Sequence, residues 1–303
     1  MSDWPSVGVV VPTKNRPREL REALAAVFAQ DYPGELEAVV VYDWHDPDVD
    51  LAAAYPRIRV LTNSRTPGLA GARNTGILAL ETDLVAFCDD DDLWLPGKLR
   101  AQVEAMQRQP AALMASCDII VDFGGHTTVR STGSNAVTYL DLLRSRVVSV
   151  HSSTYLLPRA VLTDRIGLMD ESIPGGQNED WDLALRAAHC HPIVCVNQPL
   201  VRVRWSRQSH FSRQWESRAE GLEWILIRYP EIAQSPVGVA RVYGQLAFAH
   251  ACLGKRGEAC RWAWRAAKSN WREPRAPISL AVAAGVISGD TVMNLLHSRG
   301  HGI

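Results

Sequence analysis

Lysine is scarce in this sequence: four residues, against 28 arginines, in a chain of 303. Its 33 acidic side chains bring the formal net charge to only −1. Neither sign is in enough excess for a broad nucleic-acid footprint or a polybasic membrane anchor. Long apolar runs are also missing. The longest nearly apolar stretch, ISLAVAAGVISG at 278–289, is too short to span a bilayer and reads as a packed helix. The six cysteines (88, 117, 190, 195, 252 and 260) form no tight framework, so reduced, buried thiols of a cytosolic protein are expected. Nothing cationic and apolar precedes Trp4, and a strand already starts at Val7, so no leader segment is expected and the location is expected to be cytoplasmic. A Gly-x-Gly-x-x-Gly fingerprint is absent too, since GLAGARNTG (68–76) does not match it. A soluble globular protein of one large or two smaller domains is left.

Its first 120 residues alternate strands with helices. VGVVVP (7–12) is a short apolar run ending in proline, as in a strand buried on both faces. RPRELREALAAVFAQ (16–30) repeats its apolar residues at helical spacing. Strands are predicted at 36–43, 57–63 and 83–88, a helix at 69–80, and a further helix and strand between 96 and 121. This pattern means an α/β sandwich with a mainly parallel sheet. Ligands then gather at the carboxyl ends of the strands, which brings Thr13, Asp43 and the aspartates after Cys88 to one edge. Beyond 121 the spacing predicts a helix at 139–145, an extended segment at 152–158, an amphipathic helix at 178–190 and one or two strands over 192–205. From about Ser212 the pattern is helical. Residues 241–274 read as two helices around a glycine turn, one tetratricopeptide-like hairpin. The expected division is a functional domain over 1–212 and a helical extension over 213–303, whose helices leave open a homo-oligomer.

VAFCDDDDLWLPGKL (85–99) sets four consecutive aspartates at a strand end. A solvated, helix-capping loop would explain one or two of them. A phosphoaspartyl enzyme would carry its aspartates after the first strand, with a threonine soon following. A divalent cation carrying a diphosphate is the preferred reading: Mg²⁺ or Mn²⁺ is held by one or two carboxylates and completes its shell with phosphate and water. Such a metal cancels carboxylate repulsion and stabilises charge on a departing phosphate.

FCDDDDLWLPGKL resembles the DXD segment of family-two glycosyltransferases of the GT-A fold. VVVPTKNRPREL, AVVVYDW, NSRTPGLAGARNTGI and GGQNEDWDLALR resemble that family's other motifs, in the same order. The resemblance covers about residues 6–212. It implies a Rossmann-like α/β/α sandwich and a sugar moved from a nucleoside diphosphate sugar to an acceptor hydroxyl, with Mn²⁺ or Mg²⁺ as cofactor. It further implies Asp91 as direct metal ligand, Asp89 at the ribose or a metal-bound water, Asp90 as the variable middle position at the nucleotide, and Asp92 capping the next turn. Pro12, Thr13 and Arg16 would flank the base, Asp43 would accept from its ring N–H, and Arg73 and Asn74 would lie at the nucleotide. A metal-shell histidine is implied near 200–215, and His210 is the choice there. The sequence departs from the family's Asp-Asp-Gly-Ser at Tyr42-Asp43-Trp44-His45, so the donor could be of UDP, GDP or dTDP type. The acceptor would be a glycan or small molecule.

Direct displacement at a sugar carbon needs a base for the acceptor hydroxyl. Asp180 in NEDWDLALR matches the family's base and would invert the anomer. A helix start favours a charged carboxylate there. Glu179 would bond the acceptor or nearby backbone, and Trp181 would offer it a ring face. AHCHPIVC (188–195) has zinc-ligand residue types at a spacing that fits no common site. The interleaved arginines and aromatics of 202–215 suit one phosphate group or a solvated face better than a nucleic acid. Two alternatives remain: a sugar-phosphate nucleotidyltransferase, disfavoured because PTKNRPREL lacks the glycine-rich turn, and a non-catalytic scaffold, disfavoured by the presence of Asp91 and Asp180.

Overall fold

A computed structural model describes residues 4–44, 46–205 and 214–298, so His210 lies outside the described residues. The first apolar run is β1 (Val7–Thr13), buried along its whole length. Alternation explains why it is apolar throughout: Val10 packs into the core on one side of the sheet, and Val9 and Val11 into the core on the other. α1 (Pro17–Phe28) follows, burying Leu20, Ala23, Leu24 and Val27. Then come β2 (Leu36–Tyr42), the short α2 (Val49–Ala54), β3 (Ile58–Thr62), α3 (Leu69–Ala79) and β4 (Leu84–Phe87). The middle of the chain supplies β5 (Leu93–Trp94), α4 (Lys98–Arg108), β6 (Ala115–Phe123), β7 (His126–Arg130), β8 (Ala136–Val137), α5 (Tyr139–Arg144) and β9 (Leu156–Pro158). α6 (Glu179–Cys190) and β10 (Ile193–Trp205) complete the α/β part.

The strands make one sheet in the order β3-β2-β1-β4-β9-β6-β10-β5, with β7 on β6 and β8 on β10. β1 to β4 are mutually parallel. β9 runs antiparallel between β4 and β6, and β10 runs parallel to β6. The mainly parallel sandwich expected from the sequence is the observed architecture. The ambiguous 192–205 segment is one strand whose register shifts around Pro199, where the missing N–H interrupts the ladder. Helices on one face bury α3, α5 and α6 residues, and α1 and α4 cover the other.

The helical part comprises α7 (Trp215–Arg228), α8 (Pro236–Cys252), α9 (Arg256–Ser269), α10 (Arg275–Ala283) and α11 (Gly289–His297). α8 and α9 form the expected hairpin, turning through Gly254 at φ 72°, a conformation that suits glycine. α8 is the central helix, and most of its residues are buried. Its neighbours are α7, α9 and α10, and it also reaches α5 of the sandwich.

Candidate active site

The carboxyl ends of β1, β2 and β4 set Thr13, Asp43 and the aspartate turn at one edge of the sheet. Four aspartates coexist there because donors around them hold each one, Asp90 and Asp91 sharing Arg16. Asp89 Oδ1 accepts from Arg73 Nη2 at 2.6 Å, and its Oδ2 accepts from Ser152 Oγ at 3.1 Å. Asp90 Oδ2 accepts from Thr13 Oγ1 at 2.8 Å, and its Oδ1 from Arg16 Nη1 at 2.9 Å. The same Arg16 nitrogen reaches Asp91 Oδ2 at 2.6 Å. Asp92, fully buried, accepts from Ser153 Oγ at 2.6 Å and from the Arg204 N–H at 3.3 Å. Burial and the neighbouring carboxylates push Asp92 well above the usual carboxylate range. Burial also raises Asp91, to about 7, with Arg16 opposing and Asp89 and Asp90 adding to the rise. Burial works against the charge of Asp89 as well, but the Arg73 guanidinium outweighs it and holds that carboxyl below its ordinary value.

Arg73 links this turn to the acidic helix start. It is wholly buried in α3 and donates from Nη1 to Glu179 Oε1 at 2.5 Å. Next to Glu179, Asp180 Oδ2 accepts from Arg146 Nη2 at 2.5 Å, and its Oδ1 accepts from the Trp181 N–H at 2.8 Å. The Tyr155 hydroxyl donates to the Asp180 carbonyl at 3.1 Å. Two adjacent carboxylates are thereby driven apart. Burial and Asp180 raise Glu179 to about 7. Burial opposes ionisation of Asp180 too, yet Arg146, His151 and Arg73 keep it below its ordinary value. Helix position contributes the N–H bond, while Arg146 supplies the dominant counter-charge.

Asp43 is held by the loops around it: Oδ1 accepts from Asn63 Nδ2 at 2.9 Å and the Gly68 N–H at 3.0 Å, and Lys14 Nζ lies 3.5 Å from Oδ2. Trp44 follows at φ 69°, with its ring exposed, in a conformation costing a bulky residue about 1–2 kcal/mol. Pro12 is buried inside β1, so its contribution is the shape of the strand end.

Two expectations need correcting. Trp181 offers no face to an acceptor: it is 4% exposed, and its Nε1 donates to the Leu142 carbonyl. One residue along a helix turns a side chain by about 100°, which swings Trp181 away from the side of Asp180 and into the core. Asn74 is buried with its amide engaged on both ends: Nδ2 donates to the Met169 carbonyl and Glu171 Oε1, and Oδ1 accepts from the Met169 N–H. It fixes the 169–171 segment and is closed to the cleft.

The sequence reading missed Arg146, His151, Ser152 and Ser153. Arg146 and His151 lie between predicted elements, Ser152 and Ser153 sit on a single helical turn (Ser152–Thr154) where the sequence predicts an extended segment, and all four reach the acidic residues only through tertiary contact. Asp89, Asp92 and His151 bring one ligand atom each within 4.8 Å of one another. Hard carboxylate oxygens with one imidazole suit Mn²⁺ or Mg²⁺. Hydrogen bonds already engage both oxygens of Asp92 and both of Asp89, whereas Asp91 is held by Arg16 through one oxygen and keeps a side chain 29% exposed. The donor set fits a divalent cation.

Residues 8–162 match the family model described as glycosyl transferase family 2. UDP-Glc:alpha-D-GlcNAc-diphosphoundecaprenol beta-1,3-glucosyltransferase WfgD of Escherichia coli is 25% identical over 234 residues, covering 73% of this chain and 88% of that protein. Staphylococcus aureus TarS 1–349, solved with UDP-GlcNAc, superposes with a TM-score of 0.63 at 18% identity, covering 98% of this chain and 92% of that one. The mannosyltransferase PcManGT of Pyrobaculum calidifontis, solved with GDP-Man and Mn²⁺, gives a TM-score of 0.52 at 18% identity, covering 98% and 81%. At such identities these structures share the fold. Among the described residues no helix is long and apolar enough to cross a membrane.

Proposed function

Because this chain belongs to glycosyltransferase family 2, a family of nucleotide-sugar-dependent enzymes, we propose that it transfers its sugar with inversion, that Asp180 is the base and that the reaction depends on a divalent metal. The observation carrying this reading is the continuous ion-pair path Asp89–Arg73–Glu179, ending beside an Asp180 held ionised by Arg146. It couples the donor side of the cleft to the acceptor side through rigid, buried groups.

An acceptor hydroxyl within hydrogen-bond reach of Asp180 loses its proton to that carboxylate as its oxygen bonds to the anomeric carbon. The bond from that carbon to the diphosphate breaks on the opposite side, so the configuration inverts. Arg146 keeps Asp180 deprotonated and aimed. Glu179, raised to about 7, positions Arg73 and can donate to an acceptor oxygen. Thr13 and Arg16 brace Asp90 next to the nucleotide, and Asp43 faces the base. Asp89 and Asp91 would hold Mn²⁺ or Mg²⁺, with His151 as a nitrogen donor, and the cation when bound would neutralise the leaving diphosphate. The donor is a UDP, GDP or dTDP sugar, and the acceptor a glycan or small molecule.

Asp180→Asn tests the base. The amide is nearly isosteric but takes no proton, so turnover should fall on the order of 10²-fold or more. Donor affinity by calorimetry and the far-UV circular dichroism spectrum should stay as in wild type. A fully active variant, or a product with retained configuration, would refute the assignment. A separate titration of UDP and GDP in EDTA should show affinity at least tenfold below that in Mn²⁺; equal affinities would remove the cation from the reading.

A further inference from the structure

The near-neutral total charge conceals an uneven distribution. Residues 213–303 carry twelve basic and seven acidic side chains, and the run 255–275 alone carries seven basic and two acidic. The whole positive surplus of the helical part therefore sits on α9 and its flanks, while the remainder of the chain is acidic.

α9 sorts these residues by face. It buries Ala259, Trp262, Ala263 and Ala266 against the bundle. At 100° per residue, Arg261, Trp264 and Lys268 then point away from the core, with Arg256 and Arg265 at the sides. Trp264 is 64% exposed, and Trp271 in the following turn is 79% exposed. Folding gains little from burying either ring. Lys268 Nζ stands 5.1 Å from the Trp264 ring centre, and the Arg272 guanidinium 5.0 Å from that of Trp271. The nearby acids are already committed: Glu258 to Arg261, Glu273 to Arg275 and Glu216 to Lys255. Among the described residues, Arg256, Arg265, Lys268 and Arg272 form no ion pair with a carboxylate.

We propose that this outward face of α9, with Trp271 and Arg272, docks flat on the surface of an anionic lipid bilayer. Charge complementarity selects the partner. Lysine and arginine heads meet lipid phosphates, and each indole enters the boundary between headgroups and acyl chains with its N–H at the wet side. A convex helix face has no groove to track a nucleic-acid strand, whereas a planar surface engages all its outward residues together. With no bilayer-spanning helix among the described residues, the protein lies on the membrane through this face. The inference stands apart from the proposed catalytic residues.

Vesicle flotation with the full chain tests it. In 0.1 M NaCl the protein should float with phosphatidylcholine vesicles containing about one-third phosphatidylglycerol and stay behind with pure phosphatidylcholine. At 0.5 M NaCl most should be released, because the Debye length shortens from about 10 Å to about 4 Å. Trp264→Ser with Trp271→Ser, and separately Lys268→Glu with Arg272→Glu, should each weaken binding at least tenfold while the melting temperature holds. No flotation with anionic vesicles, equal binding to neutral ones, or wild-type binding by both double variants would overturn the proposal. So would a salt-stable dimer abolished by the tryptophan pair, which would assign this face to a second copy.

Discussion

Lys98 illustrates how a single charge is tolerated beneath the site. It opens α4 with no exposed surface, its Nζ donating to Gln102 Oε1 at 2.8 Å and standing 3.9 Å from the Trp94 ring centre. Gln102 in turn donates to the Thr154 carbonyl at 2.7 Å, beneath the Ser152–Thr154 turn whose hydroxyls hold Asp89 and Asp92. Burial lowers Lys98 to about 8 from an ordinary 10.5. Below pH 8 both folded and unfolded chains carry the proton, and the fold bears the whole penalty. Between 8 and 10.5 the folded chain loses it first, so this contribution to stability rises with pH. The advantage of Lys98→Met over wild type should therefore be larger at pH 7 than at pH 10, by roughly 2 kcal/mol, since each tenfold weakening of proton binding on folding is worth about 1.4 kcal/mol. Urea melts of both proteins at the two pH values check this, and a pH-independent difference would mean the lysine is not penalised. At this scale the sequence was legible where chemistry is clustered. The aspartate run and Asp180 announce themselves by composition and spacing. Arg146 and His151 do not, because their roles come from contacts with residues about 30 to 60 positions away.

Among the elements, α3 does most to shape the donor side, and glycine lets it come close. A Cβ at Gly71 would meet the Thr66 carbonyl oxygen at 1.9 Å, and one at Gly76 would meet Val10 Cγ1 at 2.4 Å. The first contact ties α3 to the 63–68 loop, whose Asn63 amide and Gly68 N–H hold Asp43. Gly71→Ala should destabilise the protein by about 1–3 kcal/mol, as overpacking typically does. It should also weaken nucleotide binding by displacing that loop. Gly257→Ala, where the added methyl meets nothing within 4 Å, is the matched control and should be neutral or slightly stabilising. A Gly71→Ala protein as stable as wild type or more so, like the control, would show that helix propensity, and not loop contact, governs the effect. Long periodic elements such as α1, α6 and the α8–α9 hairpin could be read in the sequence. The two-residue strands β5 and β8 could not, since two residues carry no period, and neither could β7, mostly exposed on the edge of β6.

On the scale of the whole molecule, the helices after residue 214 share a core with the sandwich. Leu222, Ile225, Tyr229, Ile232, Val239 and Leu246 belong to the same buried cluster as Val10, Phe87, Leu183 and Ala187. The Tyr229 hydroxyl donates to Asp182 Oδ1 at 2.5 Å, one turn along the helix that starts at Glu179. A Cβ at Gly238 would lie 2.2 Å from the Leu143 carbonyl, so α8 seats directly on the end of α5. Composition and periodicity locate a change of architecture near 212, but they do not report which faces meet across it. These contacts make α7 and α8 the outer wall of the helix that carries Asp180. A chain ending at residue 212 would leave the Asp182 carboxylate without the Tyr229 hydroxyl and strip the shared core of its members from α7 and α8. Unfolding of the full protein by urea should then be one transition, with tryptophan fluorescence and far-UV circular dichroism coinciding. Residues 1–212 alone should give no cooperative melt. Two separated transitions, or a 1–212 fragment that melts cooperatively and binds nucleotide, would mean that the boundary at 212 divides independent domains and that the helices only rest on the catalytic part.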